Sequence, residues 1–154
     1  MGKREEILKG RGYEIADAPK PGGLYTPVVI EDGVAYLSGA VPATADGLAF
    51  KGKVPSQVSV EDATKAAEIC AANLLRVFIR DVGELAKIKR LIKVTGFVNT
   101  DTGFAEPHVV VNGASQLLLD VLGDAGNHAR SAVGMAALPL DAPVEVELIL
   151  KLVD

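Results

Sequence analysis

Arg130 opens the run Arg130-Ser131-Ala132-Val133-Gly134-Met135-Ala136-Ala137-Leu138, in which every later residue is small or apolar. A guanidinium at the head of such a strand is either a solvated rim charge or a fixed planar fork whose paired N–H groups match a carboxylate. Glu145 and Glu147 stand two apart in Pro143-Val144-Glu145-Val146-Glu147. That alternation is what a strand with one wet face and one core face produces, so it does not by itself mark a site. Other chemistries find no support. Gly10-Arg11-Gly12 has two glycines of a dinucleotide fingerprint but neither the third nor a preceding strand. There is no Walker-type Gly-Lys-Ser/Thr and no Gly-x-Ser-x-Gly elbow. His108 and His128 have no Cys or paired acid at metal-ligand spacing, so no metal is expected. The single cysteine, Cys70, cannot pair internally, and it sits in an apolar helical stripe where a thiol behaves as a small hydrophobe.

The elements that must position these residues follow from hydrophobic period. Residues 4–9 allow one short helical turn before Gly10 and Gly12, and 16–23, with two prolines and paired glycines, reads as a loop. Runs at 27–30 and 34–39 flank Asp32-Gly33, a strong hairpin signal. A second turn at 45–47 leads to a possible short strand at 48–51. From Ser59, a good N-cap, Ala63, Ala67, Cys70, Leu74 and Val77/Phe78 recur at helical steps, with Glu61, Lys65, Glu68 and Arg76 on other faces, until Gly83 stops the helix. A strand is predicted over 88–98, with Ile92, Val94, Gly96 and Val98 on one face. A second helix is predicted over 106–122, with Pro107 in its first turn and Gly123 at its end. Strands at 129–138 and 144–152 close the chain.

This order, with hairpins at the ends and two helices between, is α+β: one mixed sheet with both helices packed on one face. The other face would be uncovered in a single chain, and oligomerisation is the expected remedy. The chain has 154 residues, which fits one domain. Its net charge of −4 and 5% aromatic content argue against a nucleic-acid partner, which would call for basic patches and stacking platforms. The charged N-terminus leads into no apolar signal core, and no run approaches a membrane span. A soluble cytoplasmic protein is therefore expected.

The stretch Ala129-Arg130-Ser131-Ala132-Val133-Gly134-Met135-Ala136-Ala137-Leu138-Pro139, followed by Pro143-Val144-Glu145-Val146-Glu147, resembles the C-terminal signature of the RidA (YjgF/YER057c/UK114) family. Tyr25, Ser38-Gly39-x-x-Pro42, Val98-Asn99 and Asn112 occur in the family's order. The resemblance covers residues 20–153 and leaves 1–20 as an N-terminal extension. It implies a chorismate-mutase-like fold and a homotrimer with active sites in clefts between subunits. It also implies hydrolysis of reactive 2-imino or enamine acids to 2-keto acids and ammonia, without metal or cofactor. On the same resemblance Arg130 would hold the substrate carboxylate and Glu145 would activate water or relay a proton, with Tyr25, Ser38, Gly39 and Asn112 lining the cleft. Ala132 stands where many members carry cysteine, and His128 stands where proline or alanine is usual; both would border the same pocket. Together with the added length, these departures suggest a distinct sub-branch. Tyr25 could equally be a loop anchor, Asn112 a helix-face contact and His128 an exposed turn residue. A trimeric module that binds a small carboxylate without turnover remains the alternative. RNA cleavage, attached to some members of the family, is disfavoured by the acidic balance.

Overall fold

The computed structural model describes residues 1–154. Helix α1 (Lys3–Gly10) precedes the hairpin of β1 (Val28–Glu31) and β2 (Val34–Ala40). Two short strands come next, β3 (Ala43–Thr44) and β4 (Gly47–Leu48). Then come helix α2 (Val60–Asp81), strand β5 (Ile88–Asn99), helix α3 (Pro107–Leu122), and strands β6 (Ala129–Met135) and β7 (Val144–Leu152). The five long strands form one mixed sheet in the order β1-β2-β7-β5-β6. Only the neighbours β5 and β6 pair in parallel, and α3 makes the crossover that this requires.

The local signals act as their chemistry dictates. Asp32 and Gly33 both adopt positive φ (51° and 71°), the geometry of a tight two-residue hairpin. The Ser59 side chain accepts the Asp62 N–H at 3.0 Å and caps α2. Gly83, at φ 122°, lets its N–H turn back to Phe78 O at 3.1 Å and ends that helix. Val144, Val146, Leu148 and Leu150 on β7 are buried beneath the helices, and the Glu145–Lys151 alternates face the other way. The small-residue stripe of α2 has the expected result: α2 and α3 lie so close that a Cβ on Gly113 would come within 2.9 Å of the Thr64 carbonyl carbon. Cys70 is fully buried in this layer, and its thiol donates to Val144 O at 3.6 Å.

Several expectations need correction. The N-terminal turn is a helix of eight residues, built into the core: Leu8 is fully buried, Glu5 Oε1 accepts the Leu85 N–H at 2.5 Å, and Arg4 Nη1 donates to the carbonyls of Leu85 and Ile88. The strand anticipated at 48–51 is shifted to Gly47–Leu48, paired with Ala43–Thr44 across the Asp46 turn. In β5, register shifts between Ile88 and Arg90 and between Leu91 and Lys93 put Leu91 in the core and leave Ile92 exposed. A bulge moves one residue to the opposite face, which simple alternation cannot foresee. Strand β6 stops at Met135, and Ala136 is turned so that its carbonyl accepts from Lys53 Nζ. Arg76, placed on an outer face of α2 by its charge, is also buried. It lies under the Tyr13 ring and donates to Glu14 O and Asn73 Oδ1.

The helix-free sheet face remains apolar in places: Val29, Tyr36, Val133 and Met135 are all more than one-third exposed. No helix of the chain is long and apolar enough to cross a membrane.

Candidate functional site

Strands β2 and β7 lose register between Leu37 and Ala40, so Ser38 and Gly39 bulge out of the ladder. Ser38 is held there by Oγ–H donation to Thr26 O at 2.8 Å and by its N–H to Pro27 O at 2.9 Å. The bulge faces Glu145, whose side chain lies across Gly39: a Cβ on Gly39 would be 2.9 Å from Glu145 Cδ and closer still to Oε1. Only glycine leaves room for the carboxylate in this position. Glu145 is half-buried, and no N–H or O–H of the chain donates to it. Burial, and secondarily the Glu147 charge, hold its carboxyl above the usual carboxylate range. A carboxylate freed of fixed partners and made more basic is suited to taking up a proton.

Glu145, Ser38, Gly39 and Tyr25 line one cleft of about 770 Å³. Its inner wall is apolar, from Leu74 and Val77 of α2. The Tyr25 hydroxyl accepts the Gly22 N–H at 3.2 Å, a bond within the 19–27 loop that lines the cleft. Leu140 forms the rim at φ 60°, beside Asp141 at φ 58°. This strained pair is pinned from behind: Asn99 Nδ2 donates to Asp141 Oδ1 at 3.2 Å, Gly52 N–H donates to Asp141 O at 2.8 Å, and Lys53 Nζ reaches Asn99 Oδ1 at 2.9 Å. The burial of Asn99 and the role of Leu140 have no readable sequence signal.

Arg130 lies elsewhere. Phe97 pairs with Glu145 on one side and Val133 on the other, so these three share the helix-free face. Arg130, an odd number of residues from Val133, points to the helix side. It pairs with Val94, which on β7 is opposite Leu148, so Arg130 is about 10 Å along the strands and about 10 Å across from Glu145. One chain therefore brings Tyr25, Ser38, Gly39 and Glu145 together and brings Arg130, Asn112 and His128 together, but does not join the two groups. Ala132 lies beyond Arg130 on the same face of β6, partly buried against the core.

The second group is closely bonded. Arg130 Nη1 donates to Asn112 Oδ1 at 2.8 Å and to Ser115 Oγ at 3.1 Å, and Nη2 donates to His108 O at 3.1 Å. Of the five guanidinium hydrogens, Nε–H and one on Nη2 are left, and Arg130 has no acidic partner. His128 is half-buried, with Nε2 at 2.9 Å from Ser115 Oγ and Nδ1 at 2.6 Å from Gly126 O. Ser115 is not singled out by any sequence motif. Its spacing of three from Asn112 on a helix is the signal that could have found it, since such residues share a face. No three His, Cys, Asp or Glu side chains converge into a metal-ligand set.

Comparison with known proteins adds a family. The profile of a family described as "YjgF/chorismate_mutase-like, putative endoribonuclease" matches residues 5–152. Protein TCP17 of Trypanosoma cruzi is 34% identical over 146 residues, 94% of this chain and 91% of its own. The crystal structure of Atu1372 from Agrobacterium tumefaciens, a protein of unknown function, superposes with a TM-score of 0.87 at 41% identity, over 97% of this chain and 91% of that one. A structure from Shewanella oneidensis with the same endoribonuclease description gives 0.92 at 26% identity, over 98% of this chain and all of its own. Both structures match nearly end to end, so they share the long form of the chain, α1 included.

Proposed function

Because this chain belongs to the YjgF/chorismate mutase-like family, we propose that it is a cytoplasmic homotrimeric deaminase that hydrolyses reactive 2-imino and enamine acids to 2-keto acids and ammonia. The observation that carries this reading is the free edge of Arg130. Three fixed acceptors hold the guanidinium, and the two hydrogens left over can meet a carboxylate. Glu145 supplies the second half. It is a raised, unpartnered carboxylate that takes a proton from water as the water oxygen bonds to the C=N carbon. Glu145 passes that proton to the imine nitrogen, giving a carbinolamine, and then relays the carbinolamine hydroxyl proton to the amine, which leaves as ammonia as the carbonyl forms. The product is R–CO–COO⁻, and no electrons are exchanged. An imine is already electrophilic, so holding the carboxylate and aiming water is most of what the reaction asks.

Arg130 and Glu145 of one chain are too far apart, and on opposite faces, to grip one small molecule. Sharing the site between neighbouring subunits removes that difficulty and covers the apolar sheet face. The test is to generate 2-iminobutyrate with a threonine dehydratase and follow its decay with and without the protein. Acceleration abolished by Arg130→Ala supports the reading, and no acceleration by wild type rejects it. Arg130→Ala should also weaken 2-ketobutyrate binding by about 1.5–3 kcal/mol, the range for a hydrogen bond to a charged group.

A further inference from the structure

We propose that Ser115 and His128 are positioning residues that brace Arg130 and thereby set the affinity of the site for a carboxylate. The inference rests on the reading of Arg130 as the carboxylate's partner, and it is carried by a chain of three hydrogen bonds whose directions can be worked out. Gly126 O, 2.6 Å from His128 Nδ1, has no hydrogen to give, so Nδ1 carries the proton. Arg130 Nη1 can only donate, so at 3.1 Å it occupies a lone pair of Ser115 Oγ. With Nδ1 carrying the hydrogen of a neutral ring, Nε2 is bare and accepts the single Ser115 hydroxyl hydrogen across 2.9 Å. The series runs from Arg130 through Ser115 and His128 to the Gly126 carbonyl, with each donor and acceptor used once.

Its far end is rigid. Gly126 is pressed against the end of α3 so closely that a Cβ there would be 2.7 Å from Leu118 O. Asn112, one turn before Ser115 on α3, holds the other hydrogen of the same Nη1. Nη1 is thus spent on fixed protein acceptors, which leaves the Nε hydrogen and one Nη2 hydrogen unused on a guanidinium held in one orientation. A long side chain ordered before binding does not have to be ordered by the ligand. His128 acts through Arg130 and not by touching the ligand.

The test uses the full chain. Because it has only two histidines, imidazole ¹⁵N spectra with His108→Gln as the assignment control identify the His128 tautomer. Protonated Nδ1 with bare Nε2 is expected, and the reverse tautomer overturns the proposal. In calorimetry with 2-ketobutyrate, Ser115→Ala should weaken binding about five- to tenfold, the value of one ordinary hydrogen bond. Ser115→Thr, which keeps the hydroxyl, should stay within about twofold. His128→Phe should weaken binding as Ser115→Ala does, and the double variant no further than either alone. Full affinity in Ser115→Ala, or equal losses in the Thr and Ala variants, overturns the brace while leaving Arg130 as the ligand. Absence of 2-keto acid binding by wild type instead rejects the Arg130 reading and this role with it.

Discussion

The Glu145 side chain lies against the bare Cα of Gly39, where a Cβ would be 2.9 Å from its carboxyl carbon. The bulge in β2 and the carboxylate on β7 are therefore one device: the strand gives up a side chain so that its neighbour's acid can rest on it. Gly39 is not among the glycines with positive φ, so its backbone accepts alanine. Gly39→Ala should fold with a melting temperature near that of wild type but lose at least about tenfold in kcat/KM as the carboxylate is displaced. Parallel melting and imine-decay measurements check this. A variant that keeps full turnover would show that the position of Glu145 is immaterial.

Glu145→Gln should lose turnover and gain stability at neutral pH. Burial raises the folded-state pKa of the carboxyl above its unfolded value, so ionisation is easier in the unfolded chain. The unfolded state then holds fewer protons, and stability falls as pH rises through the ordinary carboxylate range and up to the raised folded-state value. The melting temperature of Glu145→Gln should exceed that of wild type at pH 7, and the gap should close on acidification below the ordinary carboxylate range. Wild-type turnover should fall on acidification at a higher pH than an unperturbed carboxylate would give.

Mixing two inactive variants tests whether the site is shared. Arg130→Ala and Glu145→Gln chains, denatured together in equal amounts and refolded, should recover about a quarter of wild-type activity. In a ring of three, each mixed trimer has one boundary where an intact Arg130 meets an intact Glu145. Either variant refolded alone should recover none. Zero recovery from mixed trimers would mean that both residues are needed in the same chain.

Gly113→Ala should be costly although alanine is the better helix former. Its Cβ would press into the Thr64 backbone, which cannot rotate away as a side chain can. A loss of about 2 kcal/mol is expected from overpacking, read as a fall in melting temperature of roughly 4–8 °C. A variant as stable as wild type would mean that the two helices separate freely.

The legible parts of this fold are those in which one local signal settles the outcome. Asp32-Gly33, Ser59, Gly83 and the β7 alternation need no knowledge of the rest of the chain. The bulges in β5 are different, because a register shift depends on what β7 offers opposite, and Ile92 looks like a core residue until that is known. Arg76 is deceptive for a similar reason: its charge suggests water, but the segment holding Tyr13 and Glu14 folds over it and supplies a ring and a carbonyl. Of the site, Arg130 and Glu145 are indistinguishable from a rim charge and a wet strand face by pattern alone. The family signature singles them out. The residues behind them, Gly126 and Ser115 on the Arg130 side and Asn99 and Asp141 at the Leu140 rim of the Glu145 cleft, serve through contacts distant in sequence.

The sealed position of Cys70 has a practical consequence. The chain carries one thiol, and it is reached only when α2 lifts from β7. Burial also pushes its pKa well up, which keeps the sulfur protonated and unreactive in the native state. Alkylation is therefore a clock for opening of the helix layer, and its rate in native buffer reads how often that layer comes apart. The same reagent can rank every variant above without a denaturant.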